Sequence, residues 1–274
     1  MTAIQTSNPA FNFSEADNPF AYREGRAIAP SNVTTMSGVV NKTALLATIA
    51  IVCGAAGYAL FQHFPQGLWI GSIVSFVLVL GIFFKLRSSP QAAVYLGPVY
   101  AIVQGALMGG FTMMLEQILI AKFGSSVPGG LAFSALLLTG GVFAAMLLLY
   151  KAGVLRPTRL FVSVVSTATL GVMLAYVAMF VMSFFGMQMP FLSIGSALDG
   201  GTAALIGIGL NVAILGLAAF WLIIDFGTVE ESVAQGAPKY MEWYCAFALL
   251  VTLAWIYWEA VKLVFRIAAL AKRD

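Results

Sequence analysis

The chain has 274 residues, 61% of them hydrophobic and only 9% charged, with a formal net charge of +3. A soluble domain carries about a quarter charged residues, so this composition excludes one, and so small a net charge gives no sign of a nucleic-acid partner. The charges collect near the start and in short gaps between long apolar runs. That is the pattern of an all-α, polytopic membrane protein, since about 20 apolar residues cross a bilayer as one helix.

Residues 1–40 are polar, with Pro, Asn, Ser and mixed charge, and read as a disordered tail without a secretory signal. Residues 41–274 read as one membrane domain. Its first span is predicted from about Ala44 to Phe61, entered through Asn41, Lys42 and Thr43. His63, Pro65 and Gly67 form a turn, and the second span, about Leu68 to Phe84, stops at Lys85 and Arg87. The third covers about Val94 to Ile120 and holds Gln104 and Glu116. Its Gly105 and Gly109 have the spacing at which small residues let helix backbones approach closely in lipid. The fourth, about Leu131 to Tyr150, is followed by Lys151, Arg156 and Arg159. The fifth is about Leu160 to Phe185, followed by a loop with Pro190 and Asp199. The sixth, about Thr202 to Ile224, is rich in glycine, and the seventh is about Tyr244 to Leu270.

Seven spans put the termini on opposite sides. With the N-terminus inside, the inner segments carry Arg23, Arg26, Lys42, Lys85, Arg87, Lys151, Arg156, Arg159 and Lys239, against Lys122 alone in the outer loops. That distribution favours a cytoplasmic N-terminus. Lys262, Arg266, Lys272 and Arg273 run against it. Either the last segment is re-entrant or its place in the bundle overrides the rule, and its length favours a full span.

Enzymatic constellations are nearly absent. His63 is the single histidine and lies in a loop, so neither a metal cluster nor a Ser-His or Cys-His nucleophile is expected. Cys53 and Cys245 sit in apolar runs and read as buried thiols. No glycine-rich loop suited to phosphate is present. The chain is therefore read as a non-enzyme without a cofactor.

The intramembrane acids remain. Glu116 lies toward the end of its span and reads as reaching for the interface. Asp225 ends the sixth apolar run and Glu259 lies deep in the seventh. Ionisable residues at such depth are expensive and by default functional. Two carboxyls brought together in a medium of low dielectric share a proton and titrate as a coupled pair, a pH switch that could also hold Ca²⁺. The bland reading of Glu259 is an ion pair with Lys262 on the same helix face. Counted from the turn at residues 236–239, Glu259 sits about 13 Å deeper than Asp225, so pairing needs a kink, a tilt or an asymmetric loop.

Several blocks resemble, in order, the bacterial branch of the Bax-inhibitor (transmembrane Bax inhibitor motif, YccA-like) family. They are MSGVVNKTA, YLGPVYAIVQGALMGG, GGVFAAMLLLYKAGVLRPT, IIDFGTVEESVAQGAPKYMEWYCAF and LAWIYWEAVKL. The resemblance covers about Thr35 to the C-terminus. It implies a multi-pass protein of the bacterial inner membrane, with seven helices and the last one central. It also implies a pH-sensitive passive calcium leak governed by two carboxylates, which look like Asp225 and Glu259. Glu259 stands where many relatives have Asp, Lys262 where close relatives carry Arg, and Gln104 where they often carry Glu. Lys262, Glu116 and Gln104 are thus the candidate charge partners. The lipid bilayer is the expected partner, and Ca²⁺ is a transported ion rather than a bound cofactor. The alternative is a non-conducting interaction protein that modulates a membrane protease or a stress response.

Overall fold

The computed structural model describes residues 32–186 and 193–272. The calls on Arg23, Arg26, Pro190 and Arg273 lie outside the described residues. Seven helices are long and apolar enough to cross a membrane: α1 (Met36–His63), α2 (Gly67–Ser88), α3 (Ala93–Phe123), α4 (Leu131–Lys151), α5 (Arg159–Phe184), α7 (Gly201–Ala234) and α8 (Met241–Ala271). A short helix, α6 (Ser196–Asp199), precedes α7. There is no strand among the described residues beyond one isolated bridge, Val33 to Pro238.

Two helices outrun their apolar runs. α1 begins at Met36, within the stretch read as tail, because Thr35 caps it by accepting from Gly38 N at 3.1 Å. α7 continues ten residues past Ile224, through DFGTVEESVA, to Ala234. A polar sequence with helix-favouring Glu and Ala propagates an existing helix into the interface at little cost. The last helix is continuous over 31 residues, without the break that a re-entrant segment needs.

α8 packs along α1, α3, α4 and α7, while α2 rests on α3 and α5 on α7. Four long helices thus line its length. Half of its most apolar window is buried, against 6% for α5, so α8 belongs to the core and α5 faces lipid. The tightest pairing is α1 with α3. A Cβ at Gly109 would collide with the carbonyl of Gly54, and one at Gly105 with that of Ala50. This is the close approach that the glycine spacing predicts.

One end of the bundle is clamped. Thr34 N donates to Ala237 O (2.7 Å), Lys239 N donates to Asn32 O (2.9 Å), and Thr34 Oγ1 donates to Pro238 O (2.7 Å). The chain before α1 is therefore fastened to the α7–α8 turn. Glu242, fully buried in the first turn of α8, completes the clamp. It accepts from Thr35 N at 3.0 Å and Thr35 Oγ1 at 2.9 Å, and pairs with Lys239 (2.9 Å) and Lys42.

Candidate functional site: a membrane-deep cavity and three buried acids

α1, α3, α4, α7 and α8 line a cavity of about 1580 Å³. Its lining on α3 runs from Tyr100 to Glu116 and on α4 from Ala132 to Lys151. At 1.5 Å per residue these stretches cover roughly 24 and 28 Å, close to the ~30 Å of a bilayer's hydrocarbon. Gln104 lines the middle and accepts from Ser75 Oγ of α2 at 2.9 Å. Tyr150, Lys151, Arg156, Glu230 and Glu231 lie at the clamped end, and Glu116 lies near the opposite end.

Glu116 does not reach for the interface. Its side chain turns inward and is buried. Oε2 accepts from Tyr58 OH of α1 at 2.9 Å, and Oε1 accepts from Ser126 Oγ and from Leu131 N at 3.2 Å. Leu131 opens α4, whose N-cap, Gly130 at φ 86°, has no side chain to offer. Glu116 supplies from α3 the acceptor that the helix start needs, and its charge suits the positive end of the helix dipole. At the clamped end, Tyr150 OH donates to Glu230 Oε2 and Gln235 Nε2 donates to Glu231 Oε1 at 2.9 Å. Each mouth of the cavity therefore has carboxylates already engaged within the protein.

The two acids expected to pair do not meet. Asp225 accepts from Thr252 Oγ1 at 2.6 Å. Glu259, 1% exposed, accepts from Asn211 Nδ2 at 2.6 Å and pairs with Lys262 Nζ at 2.7 Å. No hydrogen bond joins Asp225 to Glu259 among the described residues. Thr252 stands at the level of Asp225, and Glu259 follows two turns further along α8, roughly 10 Å away along the axis. Neither a kink nor a loop offset closes the depth difference, so the two-carboxylate switch is replaced by two separate sites. Both lie at the contact between α7 and α8, but neither acid lines the cavity. Asp225 lies just behind its wall, next in sequence to Phe226 and bonded to the neighbour of Leu253, both of which are lining residues.

The Glu259 site extends further. Lys262 Nζ donates to Tyr176 OH of α5 at 3.1 Å. Arg266, 3% exposed, donates to Ser193 O at 3.0 Å and reaches Ser196 Oγ at 3.4 Å. Lys262 and Arg266 are thus spent inside the bundle, binding α5 and the segment before α7 to α8. Buried cations with internal partners do not report which side of the membrane they face, and this removes Lys262 and Arg266, two of the four cations, from the charge conflict at the end of the chain.

Sequence reasoning missed Glu242 and Thr252. An acid in a helix's first turn reads as a routine dipole partner, although Lys239 three residues earlier was a signal for a pair. A threonine within an apolar run carries no comparable signal.

A family model described as "Bax inhibitor 1 like" matches residues 8–269, nearly the whole chain. Comparison with curated proteins finds no match. Comparison with solved structures finds none either.

Proposed function

The chain belongs to the Bax inhibitor 1-like family of multi-pass membrane proteins, and from that premise we propose that it is a passive cation leak, with Ca²⁺ as the ion, in a bacterial inner membrane. The observation that carries this reading is the cavity, which is as deep as a bilayer and has carboxylates at both mouths. Hard oxygen donors suit Ca²⁺, and a path lined mainly by apolar side chains would conduct weakly, as a leak does. The pH response is assigned to Asp225 alone. Among the described residues it has a hydroxyl partner and no cation, whereas Glu259 is paired with Lys262. The clamped end, which carries Lys42, Lys85, Arg87, Lys151, Arg156, Arg159 and Lys239, is placed in the cytoplasm.

The test is Ca²⁺ flux into liposomes containing the purified protein, measured across a pH series. Flux above that of empty liposomes, lowered by Glu116→Gln, is expected. No cation movement at any pH would overturn the leak. That outcome would favour the second reading, a non-conducting partner of a membrane protease. One observation already speaks for that alternative, because every carboxylate at the mouths is held by a donor of the protein itself.

A further inference from the structure

We propose that the cavity has a side entrance between α1 and α4, and that this entrance is a binding site for one anionic phospholipid. The acyl chains lie inside the cavity and the phosphate lies at Lys151 and Arg156. The inference uses the cavity of the functional reading but not the passage of ions through it.

Three observations carry it. First, α1 and α4 both line the cavity yet are not packed against each other. Val40 and Ile51 of α1 and Phe133 and Leu136 of α4 belong to the lining and stay accessible, at 57%, 52%, 56% and 37%, because neither helix covers the other. The cavity therefore opens sideways, at the depth of the hydrocarbon, through an apolar rim. Second, a volume of about 1580 Å³ with such a rim accepts acyl chains. A gap of this kind left to water would set water against lipid, so chains that fill it complete the missing wall. Third, the charges at the clamped mouth are unequal in availability. Glu230 is bonded by Tyr150 and Glu231 by Gln235. Lys151 and Arg156 form no ion pair among the described residues, although both border the cavity. Two unpaired cations at the edge of an apolar slot match a phosphodiester attached to hydrocarbon, and arginine suits phosphate by its planar fork.

The experiment uses the whole protein, purified in mild detergent, stripped of lipid, and offered phosphatidylglycerol or phosphatidylcholine. Bound lipid is read by native mass spectrometry. One phosphatidylglycerol per chain is expected, retained about tenfold better than phosphatidylcholine. Lys151→Gln combined with Arg156→Gln should erase that preference, and both positions are exposed, so folding is not at stake. Gly140→Phe tests the chains independently. Gly140 lines the cavity and a Cβ there meets nothing within 4 Å, so the ring would occupy lipid space and lower retention of both lipids. Equal retention of the two lipids by the wild type, retention unchanged in either variant, or displacement of phosphatidylglycerol by millimolar inorganic phosphate would each overturn the site. Lipid retention without Ca²⁺ flux would leave the site standing and remove only the leak.

Discussion

Asp225 and Glu259 are both intramembrane carboxyls at the α7–α8 contact, yet their surroundings differ. Glu259 is enclosed with Lys262, and removing one member of a buried pair leaves the other uncompensated. Lys262→Met is expected to destabilise the protein by about 3–5 kcal/mol, measured by thermal or chaotrope unfolding in detergent. Glu259→Gln should also lower stability while leaving the shape of a flux–pH profile intact. Asp225→Asn should do the reverse, flattening the profile with a smaller effect on unfolding. A profile that is unchanged in Asp225→Asn would remove the assignment of pH response to this residue. The intramembrane acids themselves were legible in the sequence, because charge inside an apolar run is conspicuous. Their partners were not. Thr252 and Asn211 are common residues in unremarkable places, and nothing in a linear sequence states which turn of α7 faces which turn of α8.

Elements were easier to foresee than contacts. The apolar runs located all seven long helices, because the hydrocarbon thickness fixes their minimum length. The start of α1 and the end of α7 were not foreseen, since these turns lie where polar residues are tolerated and hydropathy falls silent. The pairing of α1 with α3 was half legible: Gly105 and Gly109 announce a close neighbour but do not say which. With Gly54 as that neighbour, Gly109→Leu is expected to force the helices apart. A fall in melting temperature, or loss of folded protein in size-exclusion chromatography, would report it, while Gly171→Leu on lipid-facing α5 should be nearly neutral, as a Cβ there has open space. The clamp at the start of α1 is also separable. Glu242→Ala should release the segment around Thr34 from the α7–α8 turn, seen as faster amide exchange at Thr34, Thr35 and Lys239 without global unfolding.

For the whole molecule, orientation is the property that charge distribution addresses most directly. A cysteine placed at Ser125 on a background lacking Cys53 and Cys245 should react with an impermeant thiol reagent added outside intact cells, and one placed at Gln235 should not. The opposite labelling would reverse the orientation proposed above. The cavity could not have been read in advance. It arises because α1 keeps to α3 and α4 keeps to α8 and α7, leaving a gap that depends on relative placement and not on any local pattern.

The interior position of α8 bears on how the protein is made. Glu242, Glu259, Lys262 and Arg266 all lie on this one helix, and between them they fasten the start of α1, α5, α7 and the chain before α7. The long helices that precede α8 in the chain lack these ties until α8 is in place. A chain interrupted before Met241 would carry the preceding helices without the polar ties that α8 supplies, a natural substrate for membrane quality control.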